Sequence, residues 1–113
     1  MNKIPNKLRD EMAEDPFYQR CCVTGFTKRD TKIEWHHNLI FAGRQVQEKF
    51  AILPLAKHVH DQIELYRDQC DLIMLVRATP EELARYSKAV DLTEKRNRLL
   101  MQYQKRGGTY VRI

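Results

Sequence analysis

Residues 32–40 read Lys-Ile-Glu-Trp-His-His-Asn-Leu-Ile, and the fold turns on this stretch. Ile33, Trp35 and His37 alternate with Lys32, Glu34 and His36, a period of two that predicts a strand with two unlike faces. Ala42-Gly43-Arg44 breaks the pattern, and the apolar run 50–53, stopped by Pro54, reads as a second strand. From residue 57 the period changes. Val59, Ile63, Tyr66, Cys70, Ile73 and Arg77 step by four and three, which predicts one face of a continuous helix over 57–77.

Outside this centre the signals are local. Residues 6–15 suggest a short polar helix ending at Pro16, residues 17–22 an extended segment, and Thr24-Gly25 and Lys28-Arg29-Asp30 turns. Thr79-Pro80-Glu81-Glu82 has the order of a helix start, with Thr as cap, Pro in the first helical position and Glu at the third. Asp91-Leu92-Thr93-Glu94 repeats the box. Leu92, Leu99 and Tyr103 continue a buried stripe that Gly107-Gly108 would end. The fold class is therefore α+β, a single domain over 1–113.

All four histidines fall between positions 36 and 60: His36 and His37 at a strand end, His58 and His60 at a helix start, with Glu34 just upstream. Imidazole is the commonest side-chain metal ligand and a base near neutral pH. Phosphodiester hydrolysis needs both roles, a cation at the scissile phosphate and a base for the attacking water.

The run Cys21-Cys22-Val23-Thr24-Gly25 … Glu34-Trp35-His36-His37 … Ala51-Ile52-Leu53-Pro54-Leu55 … His60 resembles the HNH endonuclease family. Glu-Trp-His-His is similar to the Glu-x-His-His of the colicin nucleases. The longer pattern through Gly43-Arg44-Gln45-Val46 resembles small HNH proteins of phages and prophages. The resemblance covers residues 21–64 and implies a ββα-metal core, about 21–68, with a C-terminal helical extension over 69–113. It implies a metal-dependent endonuclease acting on DNA, with RNA left open. His37 would be the general base, His36 and His60 the protein ligands of one divalent cation, and Glu34 the residue that orients a histidine. Two imidazoles admit Mg²⁺ or Mn²⁺, and bind Zn²⁺ or Ni²⁺ more tightly. The family's middle Asn aligns with Ala51. Its paired zinc-binding cysteines survive only as Cys21 with Thr24 or Cys22 with Gly25, then Ala56 and Val59, so no structural zinc is expected. The alternative is a non-catalytic DNA-binding or recombination accessory module on the same scaffold.

Other residues have plainer readings. His58 is expected to be exposed, Glu64 to pair with Lys57 or Arg67, and Trp35 and Cys70 to be core. Arg44 is a candidate phosphate contact. Lys95, Arg96, Arg98, Lys105 and Arg106 suit either a DNA backbone or a solvated helix face. The formal charge is +5, with the basic excess concentrated in 79–113, which favours a polyanionic partner. With 42% hydrophobic and 31% charged residues the chain is globular in composition. It has neither a leader-like apolar run near its start nor the roughly 18 apolar residues of a membrane span. Three cysteines make no secreted disulfide framework. These features predict a cytoplasmic protein without a membrane partner, in a bacterial host cell if the phage resemblance holds. Whether it forms a homodimer is left open.

Overall fold

The computed structural model describes residues 4–105. The alternating stretch forms β1 (Ile33–His37), antiparallel to β4 (Ile52–Ala56), with Ile33 opposite Ala56, Trp35 opposite Pro54 and His37 opposite Ile52. Between them a small hairpin, β2 (Ile40–Phe41) and β3 (Arg44–Gln45), turns at Ala42-Gly43. Both turn residues have positive φ, 53° and 77°. A two-residue hairpin loop needs this to match the right-handed strand twist.

Pro54 does not stop β4, contrary to the sequence expectation. The strand begins later, after a 3₁₀ turn at Lys49–Ala51, and runs through the proline. The Pro54 carbonyl accepts from the Cys22 N–H at 3.0 Å. Its imide nitrogen therefore faces that same side, away from β1, where a missing donor breaks no ladder bond. The expected extended segment 17–22 is also different. Pro16–Gln19 is a 3₁₀ turn capped by Asp15, whose carboxylate accepts from the Phe17 N–H at 2.9 Å. Only Arg20 makes a bridge, to Thr27.

Every residue of β4 is buried. Ile52 joins a cluster with Ile4, Leu8, Met12 and Tyr18, built by α1 (Asn6–Glu14) and the Pro16–Gln19 turn. Leu53 and Leu55 join the larger cluster on the other side. A strand covered on both faces loses the polar alternation that β1 keeps.

The helix foreseen over 57–77 is two helices, α2 (Lys57–Asp61) and α3 (Ile63–Arg77). Gln62, at φ −115° and ψ 37°, separates them, and i→i+3 bonds from Gln62 N–H to Val59 and from Leu65 N–H to Gln62 tighten the joint. The expected apolar stripe is present, but residues 70–75 of α3 are all buried. They lie between the sheet, the Lys49–Ala51 turn and the last helix, α5 (Leu92–Lys105). α4 (Pro80–Arg85) starts with both bonds of the foreseen capping box: Glu82 N–H to Thr79 Oγ1 at 3.1 Å and Thr79 N–H to Glu82 Oε1 at 2.9 Å. Asp91 caps α5 through the Glu94 N–H at 3.1 Å. Leu92 and Leu99 are buried and Tyr103 half-buried, as the stripe required. Gly107-Gly108 lies outside the described residues. Among the described residues no helix is long and apolar enough to cross a membrane.

Cys21, Cys22 and Cys70 are free and buried. Tyr18 is fully buried, its hydroxyl donating to the Lys49 carbonyl. Burial pushes the Tyr18 hydroxyl and the Cys70 thiol up to about 12, and the Cys22 thiol higher still. All three keep their protons longer folded than unfolded. Stability should be full below about pH 7.5, before unfolded thiols begin to ionise, and should fall as pH rises through the folded values. Urea midpoints at pH 8 and pH 11 test this. A clearly lower midpoint at pH 11 is expected, and equal midpoints would contradict the burial of these groups.

Candidate functional site

Strand alternation puts Glu34 and His36 of β1 on one face. β4 leads directly into α2, whose fourth residue, His60, lies over that face. The three side chains form a chain. Glu34 Oε1 is 2.9 Å from His60 Nδ1, and His60 Nε2 is 3.2 Å from His36 Nδ1. The two imidazoles meet edge to face, with ring centroids 4.9 Å apart.

A carboxylate only accepts, so Glu34 fixes the proton of neutral His60 on Nδ1 and leaves a lone pair on Nε2. His36 is half-buried. Desolvation first, then the neighbouring His60, push its pKa down to about 4, and a hydrogen bond from the His36 ring to the Asn38 side chain only partly offsets them. At neutral pH His36 is therefore an uncharged imidazole, the state in which it can act as a ligand.

Two imidazole nitrogens bound to one ion at ~2.0–2.1 Å, with tetrahedral or right-angled geometry, lie about 2.8 to 3.4 Å apart. The 3.2 Å between His36 Nδ1 and His60 Nε2 falls within that span. The pair thus suits a shared cation as two of its ligands. Among the described residues no group of three or more His, Cys, Asp or Glu side chains is arranged to hold a metal. Glu34 is engaged with His60, so further ligands would come from water or substrate oxygens.

His37 does not join this chain. Strand alternation turns it to the other face, where its Nε2 lies 3.0 Å from Gln47 Oε1. An amide oxygen accepts, so Nε2 carries the proton and Nδ1 is the basic nitrogen of the neutral ring. His37 is still close enough that its charge opposes protonation of His36. Arg44 is exposed at the hairpin tip and forms no ion pair among the described residues. The plainer expectations hold for several residues. His58 is exposed against Phe26, Glu64 pairs with Arg67 at 2.7 Å, and Cys70 is buried. Trp35 is half-buried, packed on Tyr18 with Arg9 over its ring.

Sequence reading missed the support behind the site. Asn38 follows β1 directly, and its Nδ2 donates to Asp71 Oδ1 at 3.0 Å. The second carboxylate oxygen of Asp71 takes Lys95 of α5 at 3.0 Å. Lys95 is thus bound to a buried carboxylate and is not one of a free row of cations along α5. The available signal was Asp71 itself, a charge within the apolar run 70–76, where the second half of α3 is buried.

Asp71→Ala would leave Lys95 and Asn38 without their shared acceptor and should cost about 2 kcal/mol, seen as a lower urea midpoint. A change below about 0.5 kcal/mol, the level of a neutral surface substitution, would show that the network holds nothing in place. No family model matches the chain, and no curated protein or solved structure does, so the meaning of the site rests on its own geometry.

Proposed function

We propose that the chain is an HNH-type nuclease with a ββα-metal core, hydrolysing phosphodiester bonds in DNA with one divalent cation. The observation that carries this reading is the Glu34–His60–His36 chain, spanning strand and helix with its ligand nitrogens 3.2 Å apart. The order strand, hairpin, antiparallel strand, helix supports it, as does the sequence resemblance over residues 21–64.

In this reading His36 and His60 hold the cation, and Glu34 sets the tautomer of His60. When bound, the cation supplies charge neutralisation at the phosphate and the leaving oxygen. His37 takes a proton from the attacking water through Nδ1, while Gln47 keeps its Nε2 protonated and its ring oriented. Asn38 and Asp71 brace the strand end from which both histidines project. Arg44, exposed on the hairpin, would contact a flanking phosphate.

A second reading, a DNA-binding module that does not cut, draws on one observation. His37 is turned to Gln47 and not toward the ligand pair. Under that reading His37→Ala would leave function intact.

Purified protein should nick supercoiled plasmid with Mg²⁺ or Mn²⁺ and not with EDTA. His37→Ala should lower the rate by about 10²- to 10⁴-fold, the usual worth of a general base. Metal-dependent cutting retained in His37→Ala would remove that residue from the mechanism. Absence of cutting on plasmid, single-stranded and branched DNA would favour the binding module. Independently, Glu34→Gln should weaken Mn²⁺ or Zn²⁺ binding by about 10- to 100-fold in calorimetry. Unchanged affinity would separate Glu34 from the metal.

A further inference from the structure

At the far end of α3 from His60 an open cleft of about 1100 Å³ lies between the Pro16–Gln19 turn, the 27–30 turn and Arg77. Arg77 closes α3, about 21 Å along the helix axis from Ile63, so the cleft is distinct from the histidine pair. Arg20, Lys28, Arg29 and Arg77 line it, and none of them joins an ion pair among the described residues. Its one carboxylate, Asp15, is already held by Lys49 at 2.7 Å. The lining therefore presents unneutralised positive charge to whatever enters.

The cleft is also far larger than a bare anion needs, at the size of pockets that enclose whole organic ligands. The Arg77 guanidinium lies 3.5 Å over the ring of Phe17. A guanidinium backed by an aromatic ring is a flat surface on which a base can stack. Cations at the rim and a stacking surface on the wall together match a phosphate joined to a planar ring.

We propose that this cleft binds unpaired nucleotides of a nucleic acid strand, with Arg20, Lys28 and Arg29 at phosphates and Arg77 on Phe17 under a base. The inference rests on the nucleic-acid reading above but not on cutting. It adds a second contact surface, away from the hairpin.

Anisotropy of a fluorescein-labelled single-stranded 12-nucleotide DNA, measured in EDTA, reads binding without cleavage. Lys28→Glu/Arg29→Glu alters two exposed turn residues and should raise Kd by about tenfold and flatten its dependence on salt. Arg96→Glu/Arg98→Glu on α5 should change Kd less than about threefold, since those cations lie outside the cleft. Phe17→Leu, with circular dichroism confirming the fold, should weaken binding while keeping the salt slope, because it removes stacking and no charge. A mononucleotide that displaces the strand at equal concentration would assign the cleft to free nucleotides, and failure to displace assigns it to the strand. A wild-type protein that binds neither, or equal loss in the cleft and α5 variants, would overturn the proposal. A protein that binds through the cleft yet never nicks plasmid would lose the nuclease reading and keep this one.

Discussion

The pairing of β1 with β4, Trp35 opposite Pro54, decides which of two adjacent histidines faces the helix. Side chains alternate along a strand, so a slip of one residue would exchange His36 for His37 and turn Glu34 away from His60. The register is held from several directions. β4 is buried on both faces, with Ile52 in one cluster and Leu53 and Leu55 in the other, so a slipped strand would misplace apolar groups on both. The Cys22 N–H holds the Pro54 carbonyl from the outer edge, and the Asn38 N–H continues the pairing to Ala51 at 2.8 Å.

Behind the strand end, Asp71 ties three parts of the chain together. It holds Asn38 at the end of β1 and Lys95 of α5 from its own place on α3. A buried carboxylate is costly to desolvate and tolerable only when its oxygens are satisfied, and here each oxygen has a partner. The same bonds fix the residue that hydrogen-bonds His36. The packing of α5 on α3 is therefore connected to the position of a candidate ligand on β1. The buried cysteines act as apolar filler within the larger cluster.

What the sequence made legible was what local periodicity or short spacing could carry. β1 showed itself by alternation and the start of α4 by Thr79 and Glu82 three residues apart. His36 and His60 were paired through family resemblance, and their contact now has a geometry. Pro54 looks like a stop in the sequence, which does not say which side of a strand a missing N–H faces. The joint at Gln62 carries no Gly or Pro to announce it. Asn38 with Asp71, and His37 with Gln47, are bonds between separate segments with no periodic trace. The double burial of β4 likewise depends on α1 and α3 arriving from distant positions.

The central claim is that Glu34 presets His60, and through it His36, as a two-nitrogen ligand for one cation. Long-range ¹H–¹⁵N spectra of the four imidazoles at neutral pH, before and after one equivalent of Zn²⁺, address it most directly. His60 should be protonated on Nδ1 before metal, and zinc should then shift His60 Nε2 and His36 Nδ1 together, with His58 unmoved. A His60 protonated on Nε2, or zinc that shifts neither of the two nitrogens, would contradict it.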